Sequence, residues 1–382
     1  MSNRLTQLAE AGTVTWLDYL DRGFLAEGGL RKLITEDGLT GVTSNPAIFE
    51  KAMGSGEAYD AGFADALAHG DPSPFDIYER EAIADIQAAA DDLRAVYDRQ
   101  NGHDGYVSLE VSPYLANDTD GTVAEARRLW AAVDRPNLMI KVPGTKAGVP
   151  AVRTLLDEGL NINITLLFGL DAYQAVALAH LDALEARVAR GEPIDRIASV
   201  ASFFVSRIDS QIDKQIDDRV AKGDSDSATL KALRGKVAIA NAKIAYAWWQ
   251  DLVEGERWAK LAIHHALPQR LLWASTGVKD KAYPETLYVD TLIGPETVNT
   301  MPVATMDAFR QTGTITQSLT SDVDGAKIIL SEAERLGLDL DKVTADLVVD
   351  GVKKFADAFD DLLGAVGKKR TQLLEEKGAA HA

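Results

Sequence analysis

The sequence predicts an α/β protein folded as a closed (β/α)8 TIM barrel, with extra helices after the eighth strand. Two observations point there. Short runs rich in Val, Ile and Leu recur eight times along the 382 residues, and segments with apolar residues every three or four positions separate most of them. Strands alternating with helices imply a parallel sheet, and eight of them suit a closed barrel, with an open doubly wound sheet as the competing arrangement.

In chain order, the strands are read at TVTWLDYL (13–20), GVTSN (41–45), YVSLEVS (106–112) and NLMIKVP (137–143). The second half supplies LNINITLL (160–167), IASVASFFV (197–205), RLLWAST (270–276) and TVNTMP (297–302). Between them, DIYEREAIADIQAAADDLRAVYDRQ has helical periodicity and follows DPSP, a start signal. SDSATLKALRGKVAIANAKIAYAWWQDLVEG reads as a single helix with Ser and Asp before it and Gly at its end. Two further helical patterns, DVDGAKIILSEAERLGLD and the stretch from LDKVTADLVV to LLEE, are expected to pack on the outside of the barrel. The final KGAAHA is expected to fray. No linker, repeat or low-complexity tract marks a second domain, so 1–382 reads as one barrel domain with 321–378 as C-terminal helices packed on it.

Composition narrows the function. Asp and Glu number 58 against 40 Lys and Arg, a formal charge of −18 whose long-range field repels nucleic acid and anionic membranes. The chain has no cysteine, which excludes thiol catalysis, disulfides and thiolate zinc sites. It carries no secretory pattern at its start and no apolar run long enough to span a bilayer. A cytoplasmic protein without nucleic-acid or membrane partners is expected, and the oligomeric state, monomer or homodimer, stays open.

In a barrel of this kind the chemistry sits at the C-terminal ends of the strands. Polar residues fall there on strand after strand: Asp18, then Thr43, Ser44 and Asn45, then Glu110, Lys141, Asn163 and Thr165, Ser202, and finally Ser275 and Thr276. Lys141 lies within an otherwise apolar run. A desolvated ammonium loses its proton more easily, and the neutral amine can attack a carbonyl to form a Schiff base that drains electrons from an adjacent C–C bond. Taken alone, a lysine that snorkels its head to water is the simpler account.

Asp18 and Glu110 also interrupt apolar runs and supply the proton donors and acceptors that Schiff-base chemistry needs; salt bridging is their alternative role. Asn45, Asn163, Thr165 and Ser202 suit a polyhydroxylated ligand, although Asn45 before Pro46 equally begins a helix. Arg207 and Lys279, just beyond strand ends, suit a phosphate or a surface ion pair. PGTKAG lacks the spacing of a phosphate loop, no dinucleotide fingerprint follows an early strand, and His264–His265 does not have metal-ligand spacing. Neither cofactor nor metal is expected, and Lys146 reads as a solvated loop lysine.

Six segments together resemble the transaldolase family: GVTSNPAIFEKA, VSLEVSP, NLMIKVPGTKAG, LNINITLLF, SFFVSRID and LLWASTGVKD, in that order. The resemblance implies a cofactor-free Schiff-base enzyme of the non-oxidative pentose phosphate pathway. Such an enzyme moves a dihydroxyacetone unit from sedoheptulose 7-phosphate to glyceraldehyde 3-phosphate, giving erythrose 4-phosphate and fructose 6-phosphate. By position, Lys141 resembles the family's Schiff-base lysine, Asp18 its acid/base aspartate, and Glu110 the glutamate that works through a water. Asn45 and Asn163 would hold the dihydroxyacetone hydroxyls with Thr43 near them, and Thr165 would help position the water. Ser202 would line the substrate, while Arg207, Ser275 and Lys279 would bind phosphate. Many relatives carry an arginine soon after the seventh strand, where this chain has Lys279 slightly later. Two other functions fit the same residues: a hydrolytic fructose 6-phosphate aldolase, and a non-catalytic sugar-phosphate-binding barrel.

Overall fold

The computed structural model describes residues 3–379. Among them, eight parallel strands close into a barrel in sequential order: β1 Thr13–Leu17, β2 Gly41–Thr43, β3 Tyr106–Glu110, β4 Leu138–Pro143, β5 Ile162–Leu167, β6 Ser199–Phe204, β7 Arg270–Ala274 and β8 Thr297–Met301. β1 pairs with β8 over its whole length, which removes both sheet edges. Every expected strand is present; most stop one to three residues short of the apolar run, where the chain turns polar and enters a loop.

The near-continuous burial of β3 to β8 follows from the architecture. One face of each strand packs into the barrel and the other against the helical layer, so both faces must be apolar or satisfied. Near its floor the barrel is plugged by Trp16, which is fully buried and lies level with Gly41 on β2. A Cβ at position 41 would come within 2.4 Å of the Trp16 indole, so only glycine lets the plug seat.

Two helical expectations change. The stretch read as a single helix from 225 to 255 is two, Ser227–Leu233 and Val237–Glu254. Gly235 adopts φ +68° at the joint, where its N–H donates to Asp213 Oδ1 and the Ala238 N–H to Asp209 Oδ1. Helix Val323–Arg335 packs on Val237–Glu254, in the outer layer as expected. The 40-residue helix Leu340–Ala379 instead crosses the C-terminal mouth of the barrel, touching helices Pro46–Gly54, Pro74–Arg99 and Ser206–Ala221 as well as β5. It runs through the start of the KGAAHA tail; 380–382 lie outside the described residues.

Local devices seat this helix. Phe359 is buried edge-on among Phe75, Tyr78 and Tyr114, with centroids 5.5–6.3 Å apart. Leu166, at φ +59° beside a register shift in β5, lies under Gly351, where a Cβ would come within 2.8 Å of it. A mid-helix glycine costs about 1 kcal/mol; here it permits that close approach.

Candidate active site

Sheet register brings three predicted residues side by side. Glu110 on β3 pairs with Lys141 on β4, and Lys141 with Asn163 on β5. Neighbouring strands lie about 4.8 Å apart, so side chains at one level on one face must interact. The Lys141 ammonium, on a residue only 5% exposed, is 3.2 Å from Glu110 Oε2. It also donates to the Ser44 carbonyl at 3.2 Å. The snorkelling alternative is therefore out, because the head group stays inside the barrel.

Asp18 follows β1 directly, and its N–H still donates to the Met301 carbonyl of β8 at 2.9 Å. Its Oδ1 accepts from Thr43 Oγ1 at 2.8 Å, and that hydroxyl lies 2.7 Å from Thr300 Oγ1. Burial pushes the Asp18 carboxyl above the usual carboxylate range, against the opposing pull of Lys141, the Thr43 hydrogen bond and Arg207. Glu110 is raised for the same primary reason, again against Lys141, and the charge of Asp18 adds to the rise. Apart from the ion contact with Lys141, neither Glu110 oxygen has a hydrogen-bond partner. Two carboxyl groups reluctant to ionise thus share one lysine.

Lys141 and Asp18 open onto a cavity of about 200 Å³ at the barrel mouth. All the predicted site residues except Glu110 and Asn163 line it. Glu110 stands behind Lys141, and Asn163, level with Lys141 on β5, turns its amide aside: its Nδ2 donates to Ser108 Oγ at 3.0 Å and its Oδ1 accepts from Ser202 Oγ at 2.7 Å. Asn45 serves two functions: its Oδ1 caps helix Pro46–Gly54 by accepting the Ile48 N–H at 3.1 Å, leaving the amide N–H groups free to face the cavity. Thr165 Oγ1 is buried without a partner. Thr276 instead turns away, donating to Asn299 Oδ1 at 2.8 Å.

The basic residues gather at one rim. Arg207 sits in the first turn of helix Ser206–Ala221 with its guanidinium 5.1 Å from the Phe204 ring centroid, and its buried Nη1 has no partner. Burial lowers its pKa, opposed by Asp350 and Asp18. Ser275, held at φ +55° just after β7, is tied to the same helix by Ser206 N–H donating to its carbonyl at 3.1 Å and by an Oγ–Oγ contact of 3.0 Å. Lys279 is exposed on the loop beyond. In a chain of formal charge −18, a half-buried guanidinium with an idle, buried N–H has the chemistry to receive an anion.

Ser108, Thr300, Phe204 and Phe355 also belong to this region and were not singled out from sequence. Ser108 shares the inward face of Glu110 two residues on, and Thr300 is the polar residue near the end of β8, so strand parity could have found both. Phe355 comes from the crossing helix, with its ring centroid 5.7 Å from Lys141 Nζ. Nothing local in the sequence marks it.

The family model described as Transaldolase/Fructose-6-phosphate aldolase matches residues 15–366. Among curated proteins, one named Transaldolase from Thermobifida fusca is 46% identical over 375 residues, covering 97% of this chain and 99% of its own length. Another of that name from Trichodesmium erythraeum is 42% identical over 377 residues, covering 98% and 99%. A third, from Parafrankia sp., is 46% identical over 370 residues, covering 96% and 98%. The chain belongs to the transaldolase/fructose-6-phosphate aldolase family.

Proposed function

We propose that this member of the family is a transferase of transaldolase activity, moving a dihydroxyacetone unit from sedoheptulose 7-phosphate to glyceraldehyde 3-phosphate through a Schiff base on Lys141. The observation that carries the assignment of roles is the buried Lys141 amine, 3.2 Å from Glu110 and opening onto the same cavity as Asp18.

Lys141 Nζ adds to the ketose C2 carbonyl. Glu110, whose raised pKa favours the protonated acid, gives a proton to the departing oxygen through a water, and an iminium forms. Asp18, a stronger base than an ordinary carboxylate, then takes the proton of the C4 hydroxyl as the C3–C4 bond breaks. The electron pair passes into the iminium, leaving an enamine on Lys141 and releasing erythrose 4-phosphate. Addition of the enamine carbon to the aldehyde of glyceraldehyde 3-phosphate reverses the polarity, with Asp18 returning its proton to the new alkoxide. Water then hydrolyses the fructose 6-phosphate iminium, with Glu110 as base.

Thr43 orients Asp18 through the 2.8 Å hydrogen bond. Asn45, Asn163 and Ser202 bind the dihydroxyacetone hydroxyls, and Thr165, with its idle hydroxyl, helps hold the water. Arg207, Ser275 and Lys279 bind the phosphate. Lys279 supplies a point charge where a guanidinium would supply a fork, so Arg207 carries the directional contacts. We read the whole chain as one barrel domain acting in the cytoplasm on small sugar phosphates without a cofactor, as a monomer or homodimer.

The test supplies fructose 6-phosphate with and without erythrose 4-phosphate and follows sedoheptulose 7-phosphate, glyceraldehyde 3-phosphate and free dihydroxyacetone. Turnover that depends on the acceptor is expected. Equal release of dihydroxyacetone with and without acceptor would make the protein a hydrolytic aldolase instead, and no turnover would leave only a sugar-phosphate-binding barrel.

A further inference from the structure

We propose that Phe355 covers the open side of the Lys141 intermediate against water and thereby sets the ratio of transfer to hydrolysis. The inference rests on the Schiff-base reading of Lys141. Two observations independent of that reading place the ring where it can act. Its centroid is 5.7 Å from Lys141 Nζ, within cation–π range, and Phe355 lines the same cavity as Asp18 and Arg207. One helical turn later Phe359 is locked among Phe75, Tyr78 and Tyr114, so the ring above the lysine hangs from a fixed point.

The chemistry needs such a cover. After erythrose 4-phosphate leaves, the enamine on Lys141 has two fates that differ in what reaches it. In transfer, the enamine carbon forms a C–C bond to the acceptor aldehyde, and the C=N⁺ bond is restored. In hydrolysis, a proton adds to that carbon, restoring the iminium. Water then adds to C2 and gives up its proton to a carboxylate, and the C–N bond breaks to release dihydroxyacetone and the free amine. Excluding water from a closed site suppresses this side reaction. Glu110, which handles the water of product release, does not line this cavity, whereas Phe355 does; what the ring limits is the cavity water that would bring a proton to the enamine carbon.

The phenyl face also suits the intermediate itself. An iminium is more weakly hydrated than the ammonium it replaces, so a π face that displaces water costs it less. Phe204, the other ring in the cavity, lies under the Arg207 guanidinium at 5.1 Å and belongs to the phosphate side.

The experiment measures free dihydroxyacetone against sedoheptulose 7-phosphate formed from fructose 6-phosphate and erythrose 4-phosphate at fixed concentrations, using the full chain. Borohydride trapping on Lys141 is run on each protein. Phe355→Ala is expected to raise the hydrolysis-to-transfer ratio roughly tenfold, and Phe355→Leu, which keeps an apolar cover, to stay within about twofold of wild type. Phe355→Gln keeps the bulk but admits water, and gives the same rise if the alanine variant loosens the helix. An unchanged ratio in both Phe355→Ala and Phe355→Gln, with Lys141 still trapped, overturns the proposal. Absence of a trapped adduct in the wild type overturns the Schiff-base reading beneath it.

Discussion

The two ends of this barrel bury the same kinds of ions and treat them differently. At the N-terminal end Asp104 and Arg270, both under 5% exposed, face each other at 3.1 Å. Asp104 also accepts from the Trp16 indole N–H at 2.9 Å and from the Gly105 N–H at 3.0 Å. At the C-terminal end Glu110 has only its ion contact with Lys141, and Arg207 keeps a buried N–H idle. A buried charge with its partners complete cements the floor; one left short of partners keeps hydrogen-bonding capacity for a ligand. Between these two sets of ions, hydrogen-bond completeness, and not residue type, separates the floor from the mouth.

The largest expected effect removes the nucleophile. Lys141→Ala should lower kcat by about 10⁴-fold or more, while its urea midpoint stays close to wild type because Glu110 can take up a proton once the ammonium is gone. Asp18→Asn should cost roughly 10²–10⁴-fold in kcat with little change in KM. In the wild type Asp18 must be ionised to act as base, so activity should fall as pH drops through its raised pKa. The acid limb of the kcat profile then lies above the ordinary carboxylate range.

The floor answers in stability. Arg270→Ala strands Asp104 in the interior and should cost about 3–5 kcal/mol in urea unfolding, with kcat per folded molecule retained. Loss of activity without loss of stability there would erase the contrast between the ends.

An intermediate case sharpens it. Asp209 accepts from the Ala238 N–H at 2.8 Å and the Tyr288 hydroxyl at 3.0 Å, with Asp213 adding repulsion; burial pushes it up to about 7. Its folded pKa exceeds the unfolded one, so the folded state holds the extra proton between about pH 4 and 7 and stability falls as pH rises across that window. The total loss should be about 2–4 kcal/mol, flat above the window, and Asp209→Asn should remove the slope. Urea midpoints at pH 5 and pH 8 for both proteins check this.

Much of this was legible in the sequence because parallel barrels write themselves plainly. Strands buried on both faces appear as short apolar runs, and a lysine or carboxylate near the end of such a run has few reasons to be there. Lys141, Asp18 and Glu110 stand out in this way. Features set by tertiary contact were not legible. The apolar pattern runs through Gly235 without a visible break, and only the bonds from Gly235 and Ala238 to Asp213 and Asp209 split the helix. An amphipathic C-terminal pattern likewise says that one face is buried but not against what; Leu166 under Gly351 and the aromatic socket of Phe359 direct it across the mouth. Phe355 was invisible for that reason.

Borohydride reduction in the presence of fructose 6-phosphate, followed by peptide mass mapping, tests the central claim most directly. A dihydroxyacetone- or hexose-derived adduct on Lys141, absent from Lys141→Ala, is the predicted result. An adduct on another lysine, or none during measurable turnover, would contradict the account.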